Sequence, residues 1–206
     1  MPRKLESRTT PIQNRARKQR QKILMVTCNL LQTVGLSDLT TLIIAKKEGI
    51  SVGTLYHYFP NKHAILFALS ELWLEKMMLA IDDIESENIE ELELKPFVNL
   101  TLDKLYEIYK ANTYLMPIIP IMRATPELKP FYNSSLDLIH NGFMGVFERL
   151  SLSMSDKHSL GLAVLFFQLC ESVLFNSRDH QLDEKNPLAD LKYLLLVLLE
   201  RERVRF

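Results

Sequence analysis

The chain has 206 residues, which allows one large domain or two small ones, and its 47% hydrophobic and 24% charged residues, with 6 Gly and 9 Pro, exclude collagen-like, low-complexity and wholly disordered chains. Its 25 Lys+Arg balance 25 Asp+Glu overall, yet residues 1–62 hold 11 basic and 3 acidic side chains, while residues 63–206 hold 14 and 22. A basic end can neutralise phosphates and release their counterions, whereas an acidic remainder is repelled by nucleic acid.

Cys28 and Cys170 lie far apart in apolar helical patterns, so no disulfide framework or paired-cysteine metal motif can be built. His63, His140, His158 and His180 share no metal-ligand spacing, and no metal or cofactor is expected. The N-terminus is polar and basic without the apolar stretch of a signal peptide, which points to the cytoplasm. The longest unbroken apolar run, Tyr193 to Leu199, is far short of the roughly 18 residues that span a bilayer, so no membrane partner is expected.

Apolar residues recur at three and four throughout, which predicts an all-α protein. A flexible basic arm is expected over residues 1–16, carrying Arg3, Lys4, Arg8 and Arg15. The first helix runs from about Arg17 to Thr33, with Ile23, Leu24, Thr27, Cys28, Leu31 and Val34 on one stripe and Gly35 as its stop. Thr40 and Thr41 can cap a short helix from about Leu42 to Lys47, and Gly49 supplies the positive φ of a sharp turn. Ser51 caps a third helix over about Val52 to Tyr58, which Pro60 must end.

Asn61 can cap a long connecting helix whose stripe of Ile65, Leu66, Leu69, Leu72, Trp73, Met77, Ala80, Ile81 and Ile84 leads into seven acids within Asp82 to Glu93. That run reads as a solvated helix end and linker, with the domain boundary in it. Further helices are expected at about Lys95 to Leu115, Pro117 to Ala124, Glu127 to Leu150, Asp156 to Ser177 and Pro187 to Arg205, the last started by Asn186 and Pro187. The count is nine. The divisions are a basic arm over 1–16, a helix-turn-helix domain over 17–62, a connecting helix and acidic linker over 63–94, and a C-terminal domain over 95–206.

Two short helices joined by a glycine turn form a helix-turn-helix, whose second helix enters the major groove. Ile44, Ala45, Ile50, Leu55 and Tyr58 would face inward, leaving Val52, Gly53, Thr54, Tyr56 and His57 on the outer side. The stretch from Thr40 through Ala45, Gly49, Ser51, Gly53, Leu55, Tyr58 and Phe59 to Lys62 resembles, without gaps, the DNA-binding signature of the tetracycline-repressor (TetR) family, and the likeness covers about residues 17 to 70.

That resemblance implies an all-helical homodimeric transcription factor, mostly a repressor, with a three-helix N-terminal domain joined by a long helix to a C-terminal ligand-binding and dimerisation domain. Carried over, it makes Thr41 a phosphate contact, places Val52, Gly53, Thr54 and His57 in the groove, and lets Tyr56 and Lys62 grip the backbone. Lys47 and Ser51 complete the expected DNA-binding set. Thr54 can offer a base a hydroxyl or a methyl, and His57 can donate to guanine. Glu48 departs from the family's small apolar residue and is expected to point to solvent beside Lys47.

Leu160 to Phe167 and Tyr193 to Leu199 are more apolar than a surface helix needs, which predicts that the last two helices pair with a second copy through Leu162, Leu165, Phe166, Leu191, Leu194, Leu195 and Leu198. The partner DNA would then be an inverted-repeat operator. Phe97, Tyr106, Met116, Met122, Phe143, Phe147, Phe166, Phe167 and Cys170 could line a cavity for an apolar or aromatic small molecule, or equally fill a core. With no nucleophile elbow, phosphate loop, dinucleotide fingerprint or zinc-protease motif, an enzyme is not expected. The rival reading is a helical protein-interaction module in which the helix-turn-helix is structural.

Overall fold

A computed structural model describes residues 14–152, 155–176 and 187–204. Among these residues the chain is all helical, with ten α-helices and two 3-10 turns. The helices are α1 (Asn14–Thr33), α2 (Gly35–Asp38), α3 (Thr41–Glu48), α4 (Val52–Tyr58), α5 (Lys62–Glu85), α6 (Leu94–Ala111), α7 (Ile118–Ala124), α8 (Lys129–Arg149), α9 (Asp156–Asn176) and α10 (Pro187–Val204). The tenth, absent from the predicted nine, is the single turn α2. Gly35 does end α1, its φ of +73° breaking the helical run. Its break throws Val34 off the α1 stripe, and Val34 is 38% exposed rather than inward-facing.

α1 also begins earlier than expected, because Asn14–Ala16, placed in the arm, lead directly into the good helix formers Arg17, Lys18 and Gln19. Arg3, Lys4, Arg8, His180 and the capping Asn186 lie outside the described residues. The helix predicted to reach Leu115 stops at Ala111. Asn112 turns its side-chain amide back onto the Ile108 carbonyl at 2.9 Å, and a 3-10 turn, Thr113–Leu115, follows.

The chain forms two compact units. The first comprises residues up to Glu75 together with Thr113–Ser134, and the second comprises Lys76–Asn112 and the chain from Ser135 onward. Thr113–Ser134, expected within the C-terminal domain, thus pack with the N-terminal helices. There Phe67 meets Phe131 edge-on at 4.8 Å between ring centroids, and Arg123 Nε donates to the Tyr132 hydroxyl at 2.6 Å. The core of this unit includes the fully buried Ile23, Leu39, Ile44, Leu55, Phe59, Ile65 and Leu66. Cys28 is sealed in it, and burial pushes its thiol up to about 12, so it is an inert core thiol.

In the second unit α8 approaches α5 closely through Gly142, where a Cβ would stand 2.8 Å from Cγ2 of Ile81. The acidic run keeps most of its carboxylates at the surface, yet it is pinned rather than left as a free linker. Arg149, at the end of α8, donates to the Glu85 carbonyl, to the Glu87 carbonyl at 3.0 Å and to the Glu90 carboxylate at 2.7 Å. It thereby satisfies carbonyls that the end of α5 would otherwise leave open. Ile89, in the 3-10 turn Ile89–Glu91, is fully buried beneath this clamp. α6, α9 and α10 pack on one another.

Candidate nucleic-acid interface

The site is built by α3, a three-residue turn and α4. Thr40, extended at φ −127°, caps α3 by accepting from the Ile43 amide at 3.2 Å. At the other end Gly49 sits at φ +76°, which lets its own amide reach the Lys46 carbonyl and the Ile50 amide bond Ala45 O at 3.0 Å. No atom lies within 4 Å of where a Gly49 Cβ would be, so the glycine answers to backbone conformation and not to crowding. Ser51 then caps α4, accepting from the Thr54 amide at 3.0 Å, and its hydroxyl also meets the Thr54 hydroxyl at 2.8 Å.

Inward-facing residues fall where the sequence predicts. Ile44, Ala45 and Leu55 are fully buried, and Ile50 and Tyr58 are half-buried. Gly53, Thr54, Tyr56 and His57 are exposed on the opposite side, with Val52 partly so. α4 ends because Phe59 turns extended, at φ −135°, ahead of Pro60, while its amide still bonds Leu55 O at 2.9 Å. Phe59 is completely buried, and the Arg20 guanidinium lies over its ring at 5.4 Å, joining α1 to the end of α4.

Of the residues expected to grip phosphates, Thr41 and Tyr56 stand together, their hydroxyl oxygens 3.1 Å apart. Lys62 is not free in solvent, since its ammonium donates to the Leu36 carbonyl at 3.2 Å. Lys47 is exposed at the end of α3 and Ser51 at the start of α4. Glu48 corrects one expectation: it accepts from Gln19 Nε2 at 3.1 Å, so it ties α3 to α1 and does not point to solvent beside Lys47. Around this motif α1 exposes Arg15, Arg17, Lys18 and Lys22, and α3 adds Lys46. Such a cluster supplies the sequence-independent attraction that a phosphate backbone needs. The links Gln19 to Glu48, Arg20 to Phe59 and Lys62 to Leu36 escaped the sequence reading. Only Glu48, noted as a departure from pattern, carried a signal.

The residues expected at a ligand cavity are divided between the units: Met116 and Met122 belong to the first, and Phe97, Tyr106, Phe143, Phe147, Phe166, Phe167 and Cys170 to the second. All are buried except Tyr106, which is half-buried. Phe143 packs against Phe147, Phe166 and Phe167 at centroid distances of 6.2, 5.3 and 6.2 Å, which is the packing of a filled core. Burial raises the Cys170 thiol well above its ordinary range. Two polar atoms in this unit, Thr101 Oγ1 and His140 Nε2, are buried without a hydrogen-bond partner.

The residues expected at a dimer interface separate by exposure. Leu162, Phe166, Leu191 and Leu195 are buried within the protomer, whereas Leu165 and Leu194 are 43% and 54% exposed, and Leu198 is half-buried. Leu160, Tyr193 and Val197 are exposed beside them on α9 and α10. A hollow of about 370 Å³ indents this surface between Gly161, Leu165 and Leu198. α9 has the length and mean hydropathy, 1.5, of a membrane span, but it is a packing helix of this unit with its Leu162, Phe166 and Leu174 edge in the core.

Residues 23–69 match the family model described as bacterial regulatory proteins, tetR family. An HTH-type transcriptional regulator of Staphylococcus aureus is 33% identical over 69 residues, 34% of this chain and 36% of that protein. The class C tetracycline repressor protein of Escherichia coli is 39% identical over 56 residues, covering 27% and 26% of the two chains. The matches therefore span from about a quarter to little more than a third of the length of these relatives. Salmonella enterica GusR shares the fold across 94% of this chain and 98% of its own, with a TM-score of 0.72 at 18% identity.

Proposed function

We propose, from the match of residues 23–69 to the family model of bacterial regulatory proteins, tetR family, that the whole chain is a cytoplasmic, homodimeric transcriptional regulator that reads an inverted-repeat operator. The observation that carries this reading is the outer face of α4. Gly53, Thr54, Tyr56 and His57 are exposed there with no role in the core, at the end of a helix whose Ser51 cap leaves further amides open to a phosphate. Lys47 flanks that face with an exposed charge, and Lys62 adds one held at the Leu36 carbonyl.

The exposed apolar face of Leu160, Leu165, Tyr193, Leu194 and Val197 supports pairing with a second copy, whose side chains would fill the hollow beside Leu165. Two recognition helices related by a two-fold axis would then reach half-sites one DNA turn, roughly 34–36 Å, apart.

A response to a small apolar or aromatic effector is part of the same reading. Its support is the orphaned Thr101 Oγ1 and His140 Nε2, since a buried polar atom without a partner gains from a ligand that supplies one. Such a ligand would act by favouring a subunit arrangement with the wrong spacing for DNA.

The test is site selection from random duplexes followed by binding titration. Selection of a two-fold symmetric site, with discrimination lost in Thr54→Ala combined with His57→Ala, is the expected result. An asymmetric single site, or undiminished discrimination in the double variant, would overturn it.

A further inference from the structure

Away from the DNA-binding helices, the second unit carries an open groove of about 810 Å³ between the later part of α5 and α6. Its lining follows helical spacing: Leu79, Asp82 and Asp83 come from α5, and Leu100, Asp103, Lys104, Glu107 and Ile108 from α6. The floor is apolar. Leu79 is 50% exposed in it, beside the half-buried Leu100 and Ile108, and such a surface lacks a cover within the protomer.

The rim is negative, and its cation is already engaged. Lys104 is held by Asp83 at 2.6 Å and Glu87 at 2.9 Å. Asp103 takes Lys192 at 2.9 Å, while Glu107 meets Lys110 at a loose 3.7 Å. Asp82 has no ion-pair partner among the described residues. The groove therefore combines uncovered apolar surface with an unpaired carboxylate, Asp82 on α5, and a loosely paired one, Glu107 on α6.

We propose that this groove is a binding site for a lipophilic cation, a small molecule whose aromatic or alkyl body covers Leu79, Leu100 and Ile108 while its positive centre faces the Asp82 and Glu107 carboxylates. Charge complementarity selects that class. An apolar anion would be repelled by the rim, a hydrated inorganic cation would gain nothing from the floor, and a neutral apolar molecule would use half of the site. The volume lies in the range of roughly 300–1,000 Å³ that small-molecule sites occupy. This site is separate from the interior effector site of the preceding reading and stands or falls without it.

The experiment uses the full chain, methyl-labelled for NMR, with tetraphenylphosphonium as probe and its near-isosteric anion, tetraphenylborate, as control. The phosphonium is expected to shift the Leu79, Leu100 and Ile108 methyls saturably, and the borate to leave them unmoved. The Asp82→Asn, Glu107→Gln double variant, altered at two exposed positions, should bind the phosphonium roughly fivefold more weakly, the scale of losing two solvent-exposed charge contacts. That difference should shrink near 1 M salt, where screening acts over about 3 Å. Equal shifts by both ions, phosphonium shifts confined to interior methyls, or unchanged affinity in the double variant would each overturn the proposal. No outcome depends on DNA binding, so failure here is distinguishable from failure of the regulator reading.

Discussion

Thr41 begins α3 and Tyr56 lies mid-way along α4, and their hydroxyl oxygens meet at 3.1 Å across the helix-turn-helix. Both are phosphate ligands in the proposed complex, so the pair holds them together before DNA arrives. Each hydroxyl then orients the other. Thr41→Val and Tyr56→Phe are each expected to weaken operator binding about fivefold, near 1 kcal/mol for one hydrogen bond. The double variant should lose less than the sum, with a coupling of about 0.5 kcal/mol or more in a titration-based cycle. Strict additivity would mean that the two hydroxyls act separately.

Gly53 has no reason within the chain to be glycine. It lies in regular α4, and an added Cβ would meet nothing closer than Ser51 Oγ at 3.7 Å, an ordinary contact. Alanine there should raise stability by up to about 1 kcal/mol, the helix-propensity difference between the two residues. If α4 lies against base edges, that same methyl group must push the helix away from DNA. Gly53→Ala is therefore expected to melt higher while binding its operator less tightly. Higher melting with full affinity would place Gly53 outside the contact surface.

The helix-turn-helix was legible because each of its constraints is local. The caps at Thr40 and Ser51, the positive φ at Gly49 and the stop before Pro60 follow from residue chemistry within one turn of chain. What escaped were links between elements distant in sequence. Nothing local in Gln19 or Glu48 announces their bond, and nothing in the acidic run says that Arg149, some sixty residues on, will collect its carbonyls. Likewise, apolar periodicity marked Leu162 and Leu165 alike, although one is buried in the protomer and the other exposed, because period alone does not tell which subunit covers a stripe.

The close approach of α8 to α5 makes a stability prediction independent of function. A Cβ on Gly142 would stand 2.8 Å from Ile81 Cγ2 and 3.2 Å from its Cδ1, and Ile81 is itself buried. Gly142→Ala should destabilise the fold by about 1–3 kcal/mol, the cost of forcing an extra methyl group into a filled core. Shortening the neighbour in Ile81→Val, which removes Cδ1, should return part of that loss in the double variant, read as a higher denaturation midpoint than Gly142→Ala alone. If the two substitutions simply add, the contact is not what limits residue 142.

His140 links burial to pH. Desolvation holds its imidazole below the ordinary value near 6.5, with the nearby Asp137 carboxylate opposing that shift in part, and its ring packs edge-on against Phe167 at 6.0 Å. The unfolded chain thus binds a proton at higher pH than the folded one, and stability rises with pH across the interval between the two values. The contribution of neutral His140 is complete above about pH 6.5 and is lost progressively as the solution is acidified below it. Phenylalanine keeps the ring packing and removes both the titration and the unpartnered Nε2. His140→Phe should therefore be at least as stable as the parent at pH 7.5, and its advantage should widen at pH 5.5 in denaturant titrations run side by side. A gap that stays constant between the two pH values would show that His140 titrates alike in the folded and unfolded chains.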